Sequence, residues 1–409
     1  MTAETRPSPA PSLPVPSANA ALDMLIAPLS AEEFFAQYYE RKFYHSKVKQ
    51  AAVGDLLSID RIDEIISDSE LPASSVSMAK SGQGIDPAEF TFENGNVDRG
   101  ALLDGFRDGA TIILPQLHFA DGTLYEFCLA LERGFGARTQ SNIYMTPAGE
   151  HGFGVHYDDH DVFVLQVSGA KEWEIYGDRE SLPYRGEGFR ADRDDVGELK
   201  EKFLLEEGQC LYVPRGTAHR ALTHGDQPSL HITVGILVQT WADFMLEAVA
   251  EASLRIPELR HSLPRTLFFD DDQRARHKAE FQRLARAIGD TASFDATLAA
   301  FSANFVRQQG GRVRGGLNTL CAPIDAEDRF TVRENILYSF EDVTDEGESQ
   351  KQIVLAGASI PMSERLAQQM ERRIAEGSLA KADFDVDDAE ELDDIVGSLI
   401  AYGLLIREA

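Results

Sequence analysis

Cysteine is scarce in this chain: Cys128, Cys210 and Cys321 are the only ones among 409 residues. Widely separated and odd in number, they argue against a disulfide framework and against a cysteine-type zinc site. Long apolar runs are missing too, so no stretch is long enough to span a bilayer as a helix. Positive charge is in deficit. The 39 Lys and Arg face 68 Asp and Glu, leaving a net charge of -29. Phosphates would be repelled by such a surface, which argues against nucleic acid as a direct partner. A basic polypeptide would be drawn in. Hydrophobic residues make up 43% of the chain, enough for a large core in two or three domains, as in a cytosolic globular enzyme. Residues Met1 to Pro16 are rich in Pro, Ser, Thr and Ala but lack an apolar core. Residues 1–20 therefore read as a disordered leader, not a signal peptide.

What is present is a set of metal-ligating side chains in strand-like surroundings. His156 and Asp158 lie two residues apart, and His219 follows a segment running from Gly208 through Pro214 and Gly216. Two imidazoles and one carboxylate are the ligand set of the facial triad that holds non-haem Fe(II) and leaves positions open for a cosubstrate and O2. Asp161 to Val167 is β-branched and aromatic, Ser168–Gly169 a turn, and Lys171 to Tyr176 alternates with period two. Together they read as a hairpin. In its second strand Lys171, Trp173 and Ile175 share the inward face, opposite Glu172, Glu174 and Tyr176. An inward lysine is costly unless an anion meets it. Leu211 to Val213 reads as a further strand, with Pro214 and Gly216 making the tight turn before His219. His160 and His231 compete as ligands. Alternation puts His160 on the face of Asp158, but nothing downstream answers it, so both read as lying beside the centre or at the surface.

The turn before His219 resembles the second half-motif of cupins, the double-stranded β-helix family. More closely, Asn142 to Gly149, then His156 to Asp159, then Asp161 to Trp173 resemble the JmjC-type ribosomal oxygenases. These are Fe(II)- and 2-oxoglutarate-dependent protein hydroxylases. The resemblance is specific mainly between Asn142 and Thr233. It implies that His156, Asp158 and His219 hold the iron and that Lys171 holds the distal carboxylate of 2-oxoglutarate. It further implies that Asn142 and Tyr144 line the cosubstrate pocket and that Thr233, on the closing strand, adds a hydroxyl. It reaches the opening helix, Glu33 to Lys42, where Tyr39 stands in place of the family's usual Trp.

The implied fold class is mixed α+β: a jelly-roll or cupin core with helical additions. Residues 21–240 form the catalytic domain, with an amphipathic helix expected over Asp55 to Ser69 and the barrel running from Thr111 to Gln239. Residues 241–345 form a helical region, with helices at Ala242 to Arg255, Asp271 to Ile288 and Phe294 to Gln309; by resemblance it mediates homodimerisation. Residues 346–409 resemble a winged-helix module, with a helix near Ser363 to Glu376, then an acidic stretch, a further helix, a Gly turn and a short apolar strand. That module is acidic, so it reads as a packing or substrate-positioning element and not a DNA binder.

The implied reaction consumes O2 and 2-oxoglutarate and releases succinate and CO2 while a substrate C–H is hydroxylated. The implied substrate is a His or Arg side chain of a basic ribosomal protein. Histidine hydroxylases of the family tend to carry Lys where this chain has Lys171, which tilts the reading toward histidine. Two alternatives stand beside it: a hydroxylase of a small molecule or peptide natural product, and a metal-binding cupin without turnover.

Overall fold

The computed structural model describes residues 18–68, 70–150, 153–177, 182–269, 271–345, 348–386 and 388–408. The expected leader lies mostly outside them, and its last residues, from Ala18, already belong to a helix. The chain divides into two compact units, Met1–Val238 and Gln239–Ala409.

In the first unit the helices are α1 (Ala18–Ile26), α2 (Ala31–Gln37), α3 (Ala51–Leu56), α4 (Ile59–Asp68), α5 (Arg99–Arg107) and α6 (Gly122–Phe135). The strands are β1 (Tyr44–Ser46), β2 (Ser77–Lys80), β3 (Gln83–Gly84), β4 (Thr111–Leu114), β5 (Arg138–Thr146) and β6 (Asp161–Ser168). They continue as β7 (Ala170–Tyr176), β8 (Leu199–Glu206), β9 (Cys210–Val213), β10 (His219–Thr223) and β11 (Ser229–Leu237). An eight-stranded sheet runs β1-β9-β6-β11-β5-β4-β2-β3, and a three-stranded sheet runs β10-β7-β8. Both are antiparallel throughout.

Side-chain alternation gives the large sheet two buried faces. Phe163 and Leu165 of β6, Tyr212 of β9 and Ile232 and Val234 of β11 pack with Leu25, Phe34, Phe127 and Leu131 of the helices. From the same strands, Val162, Val164, Leu211 and Val213 point the other way and meet Trp173, Ile175 and Leu205 of the small sheet. A strand buried on both faces reads as a nearly unbroken apolar run, as Val162 to Val167 does. The helices are bounded by ordinary caps. Ser30 and Glu33 form a reciprocal capping box on α2, while Asp121 accepts from two backbone N–H groups to start α6, and Gly136, at φ +58°, ends it.

Three local expectations are corrected. The β6–β7 hairpin does not form: β6 pairs with β9 and β11, and β7 with β8 and β10. Gly169, at φ +67°, instead carries the chain from one sheet to the other, so close to the backbone that an added Cβ would lie 2.4 Å from the Pro228 carbonyl oxygen. The helix expected over Asp55 to Ser69 is split, because Leu57 is extended and the Ser58 hydroxyl accepts from the Arg61 N–H to start α4. The opening helix is shorter than expected, ending at Gln37. The first hundred residues also supply β1, β2 and β3, which extend the large sheet on both edges.

In the second unit the helices Trp241–Ser253, Asp271–Thr291 and Phe294–Gln308 stand within a few residues of where periodicity puts them. Ser339–Asp345, Glu348–Leu355 and Ala358–Met362 form an antiparallel meander. A boundary between residues 345 and 346 would cut its first pair of strands. Ser378–Ala380, Arg329–Val332 and Leu405–Arg407 make a second small sheet, accompanied by helices Glu364–Glu376 and Ala389–Ala401. Gly403, at φ +86°, turns the last helix into the last strand, as the sequence implies. Among the described residues no helix is long and apolar enough to cross a membrane.

Candidate functional site

The site lies on the face of the large sheet that looks toward the small one. Period-two alternation puts Asn142, Tyr144 and Thr146 of β5 on that face, with His231 and Thr233 of β11 beside them in register. Lys171 and Trp173 of β7 and His219 and Ala221 of β10 come from the opposite sheet. These side chains, with Thr111, Phe153, His156, Asp158 and His160, line a pocket of about 680 Å³ that opens to solvent.

His156, Asp158 and His219 converge. One ligand atom from each lies within 4.8 Å of the others. His219 Nε2 is 3.8 Å from Asp158 Oδ2, and the two imidazole centroids are 4.7 Å apart. Their convergence is built by the backbone. His156 N–H donates to the His219 carbonyl at 3.1 Å, and His219 N–H donates back at 2.8 Å. The Gly216 N–H donates to the Asp158 carbonyl at 2.9 Å, so the turn before His219 also holds the carboxylate's own residue.

Both rings are oriented for coordination through Nε2. His156 Nδ1 is 2.9 Å from the Gly154 carbonyl and His219 Nδ1 is 3.0 Å from the Thr217 carbonyl. A carbonyl accepts only, so each Nδ1 carries the proton and each Nε2 keeps its lone pair. Burial, with His156 adding to it, pushes the His219 pKa down to about 4, keeping the ring neutral at physiological pH as a ligand must be.

Deeper in the pocket Lys171 is 3% exposed. Its Nζ donates to Thr146 Oγ1 at 3.0 Å, and the Thr111 hydroxyl donates to the same oxygen at 3.2 Å. No carboxylate of the described residues faces it, and burial alone lowers its pKa to about 7. Nearby, His231 Nδ1 and Trp173 Nε1 are buried without hydrogen-bond partners. His231 stacks on Tyr144 with centroids 4.8 Å apart, and burial followed by Lys171 holds it well below its ordinary pKa. A buried ammonium and two unsatisfied ring nitrogens around one cavity match the binding requirements of an anion.

All seven residues singled out from sequence therefore line one pocket. The three ligands sit together, and Lys171 faces inward as its alternation requires. Asn142 has a structural duty as well, its Oδ1 accepting from the Gln116 N–H at 3.1 Å. His160 and His231 stand apart from the ligand cluster. An added Cβ on Gly235 would lie 2.5 Å from the His160 ring, so that ring lies against β11, and its Nδ1 meets Asp159 at 3.2 Å.

Sequence reasoning missed Thr146 and Thr111, although alternation from Asn142 and Tyr144 reaches Thr146 directly. It also missed the buried group that supports the His219 turn. Asp161, 0% exposed, accepts from Arg215 N–H at 3.0 Å, Arg215 Nη1 at 3.1 Å and the Tyr212 hydroxyl at 2.8 Å. Arg215 reaches Glu40 at 2.7 Å on its other side. No spacing rule joins Glu40, Asp161 and Arg215; the β6–β9 pairing brings the last two together, and Glu40 comes from the connection between α2 and β1, which itself pairs with β9.

The comparisons agree with this geometry. Residues 117–244 match the JmjC domain family. The chain is 30% identical over 266 residues to the bifunctional lysine-specific demethylase and histidyl-hydroxylase NO66 of Dictyostelium discoideum, covering 61% of this chain and 50% of that protein. It is 29% identical over 294 residues to ribosomal oxygenase 1 of Gallus gallus, covering 67% of this chain and 48% of that one. The chain thus spans about half the length of these curated relatives. Among solved structures, YcfD, a ribosomal oxygenase from Escherichia coli, solved with cobalt and 2-oxoglutarate, superposes with a TM-score of 0.52 at 14% identity over 93% of this chain and 99% of its own. At that identity the likeness speaks for the fold. With the domain match and the curated relatives beside it, the chain is similar to JmjC-type ribosomal oxygenases, the family match itself covering residues 117–244.

Proposed function

We propose that this chain is an Fe(II)- and 2-oxoglutarate-dependent oxygenase that hydroxylates a protein side chain, a His or Arg of a ribosomal protein, with histidine favoured. One observation carries the reading: a two-histidine, one-carboxylate cluster shares a pocket with a buried lysine that meets no carboxylate of the described residues. The donor set fits Fe(II), which takes imidazole and carboxylate ligands on one face and keeps the rest open. The uncompensated lysine fits a dicarboxylic cosubstrate bound at the metal by its other end. The relatives' names support the same chemistry, histidyl-hydroxylase for one and ribosomal oxygenase for another, as do the cobalt and 2-oxoglutarate of the bacterial structure.

Bound iron would supply O2 activation, with 2-oxoglutarate oxidised to succinate and CO2 as one oxygen atom enters a substrate C–H. The chain's own residues bind and orient. His156, Asp158 and His219 would hold the metal, and the carbonyls of Gly154 and Thr217 fix the two rings. Lys171 would pair with the distal carboxylate, a charge-assisted contact that sets the cosubstrate's direction as well as its affinity. Thr146 holds the ammonium in place, and Asn142, Tyr144 and Thr233 wall the cavity. Trp173, buried against His219 with centroids 5.7 Å apart, keeps water from the inner side of the centre. No general base is needed.

The net charge of -29 suits a basic polypeptide substrate. The helical region 241–345 is assigned the dimerising role. Trp241, Leu246, Leu254, Phe269 and Phe281 are 65–81% exposed on its helices, far more large apolar side chain than a solvated bundle needs. The region after residue 346 is assigned a winged-helix-like packing or substrate-positioning role.

The test is mass spectrometry of ribosomal proteins from cells with and without this chain, paired with a succinate assay on the purified protein. A gain of one oxygen at one residue, His before Arg, is expected. Succinate formation without any ribosomal mark would move the substrate to a small molecule or peptide, and neither would leave a cupin that binds metal without turnover.

A further inference from the structure

Asp158 is the least supported of the three ligands. Its side chain is 29% exposed, and among the described residues its carboxylate meets the metal-facing His219 nitrogen at 3.8 Å. Its direction must therefore be set through its backbone, and the backbone is gripped on both sides of it. Tyr157 precedes Asp158, is 4% exposed and stands outside the pocket lining. Its hydroxyl donates to Asp194 Oδ2 at 2.8 Å, and its ring meets Phe189 edge-on at 5.3 Å. Asp159 follows Asp158, and its Oδ2 accepts from the Gly186 N–H at 2.8 Å. Gly186, Phe189 and Asp194 all belong to the connection between β7 and β8.

Asp194 is itself a built acceptor. Its side chain is 6% exposed and accepts from the Arg190 N–H at 2.9 Å and from Arg193 Nε at 2.9 Å. That carboxylate is anchored before Tyr157 reaches it. A hydrogen bond between a neutral hydroxyl and an anchored carboxylate is of the stronger, charge-assisted kind.

We propose that the Tyr157–Asp194 contact is a positioning strut for the metal centre, by which the β7–β8 connection fixes the Asp158 carboxylate for coordination and sets the metal affinity. The proposal rests on the metal-binding reading above. Tyr157 does not touch the metal or the substrates; it acts through Asp158. Groups that orient a metal ligand typically change affinity by 10- to 100-fold when removed. The strut lies outside the ligand pattern legible in sequence, since Asp194 sits in a connection with no period and no motif.

The experiment is Mn(II) titration followed by electron paramagnetic resonance, without 2-oxoglutarate, on the full chain and its Tyr157→Phe variant. Folding is monitored by circular dichroism and Tm. Tyr157→Phe removes one oxygen and keeps the ring against Phe189. We expect Mn(II) affinity to fall roughly tenfold at an almost unchanged Tm. Asp194→Asn should weaken binding in the same direction, and the double variant should lose little more than the worse single one. Unchanged affinity in Tyr157→Phe overturns the strut while the metal site stands. Failure of the unaltered chain to bind Mn(II) instead overturns the metal reading itself. Should Asp194→Asn fail to fold, Tyr157→Phe alone decides.

Discussion

At the scale of single residues, Lys171 joins fold to chemistry. Burial lowers its pKa to about 7 against an ordinary 10.5, so between those values the folded chain binds fewer protons than the unfolded one. Its contribution to stability therefore rises with pH across that window, and the cost of the buried charge is complete below about pH 7. Cosubstrate binding should run the other way. A carboxylate needs the ammonium form, so 2-oxoglutarate affinity is expected to fall above about pH 7, approaching tenfold per unit. Isothermal titration between pH 6 and 9 checks this, and Lys171→Ala should bind weakly at every pH with the slope gone. A second residue-scale prediction concerns Asp161. Asp161→Ala leaves Arg215 buried beside an empty site and should cost about 3–5 kcal/mol in urea unfolding. A cost below about 1 kcal/mol would show that the network is dispensable. The ligands and Lys171 were legible because each carries a local signal: the single residue between His156 and Asp158, the Pro214–Gly216 turn before His219, and alternation of Lys171 with Trp173 and Ile175. Asp161 was not, because its partners are Tyr212 and Arg215, some fifty residues on, and the second carboxylate on Arg215 is Glu40.

Among the elements, strand patterns gave existence and facing but not partner. Asp161 to Tyr176 contains two strands joined by a Gly turn, which in sequence is indistinguishable from a hairpin. The side chains on both faces of β6 are apolar, so alternation could not say which sheet it joins. Its true neighbours, β9 and β11, lie more than forty residues away in sequence. The corner at Gly169 is the physical sign of the crossing. Gly169→Ala must place a Cβ against the Pro228 carbonyl at positive φ, and is expected to cost about 1–3 kcal/mol. Thermal denaturation measures it, and a neutral result would mean that the corner relaxes freely. The split between α3 and α4 was readable in principle, since Ser58 is a good N-cap lying inside what looks like one helix.

For the whole molecule, the assignment of the helical region 241–345 of the second unit to dimerisation makes a direct prediction. Sedimentation equilibrium at micromolar concentration should return twice the chain mass, and charged substitutions at Leu246 and Phe281 should return the chain mass with secondary structure intact. A monomer in the unaltered chain would refute the assignment and leave the exposed aromatic side chains for another partner. The helices of this unit were readable to within a few residues because each is long and periodic. The meander near its C-terminus was not, because residues 339–355 carry 11 polar or charged side chains against 5 apolar ones and lack a clear apolar face.

The most direct measurement is anaerobic addition of Fe(II) and then 2-oxoglutarate, watched in the visible. A weak metal-to-ligand charge-transfer band should grow with both components present, vanish in His219→Ala, and need far more 2-oxoglutarate in Lys171→Ala. A flat spectrum at saturating iron and cosubstrate would contradict the claim that these side chains serve one oxygen-activating centre.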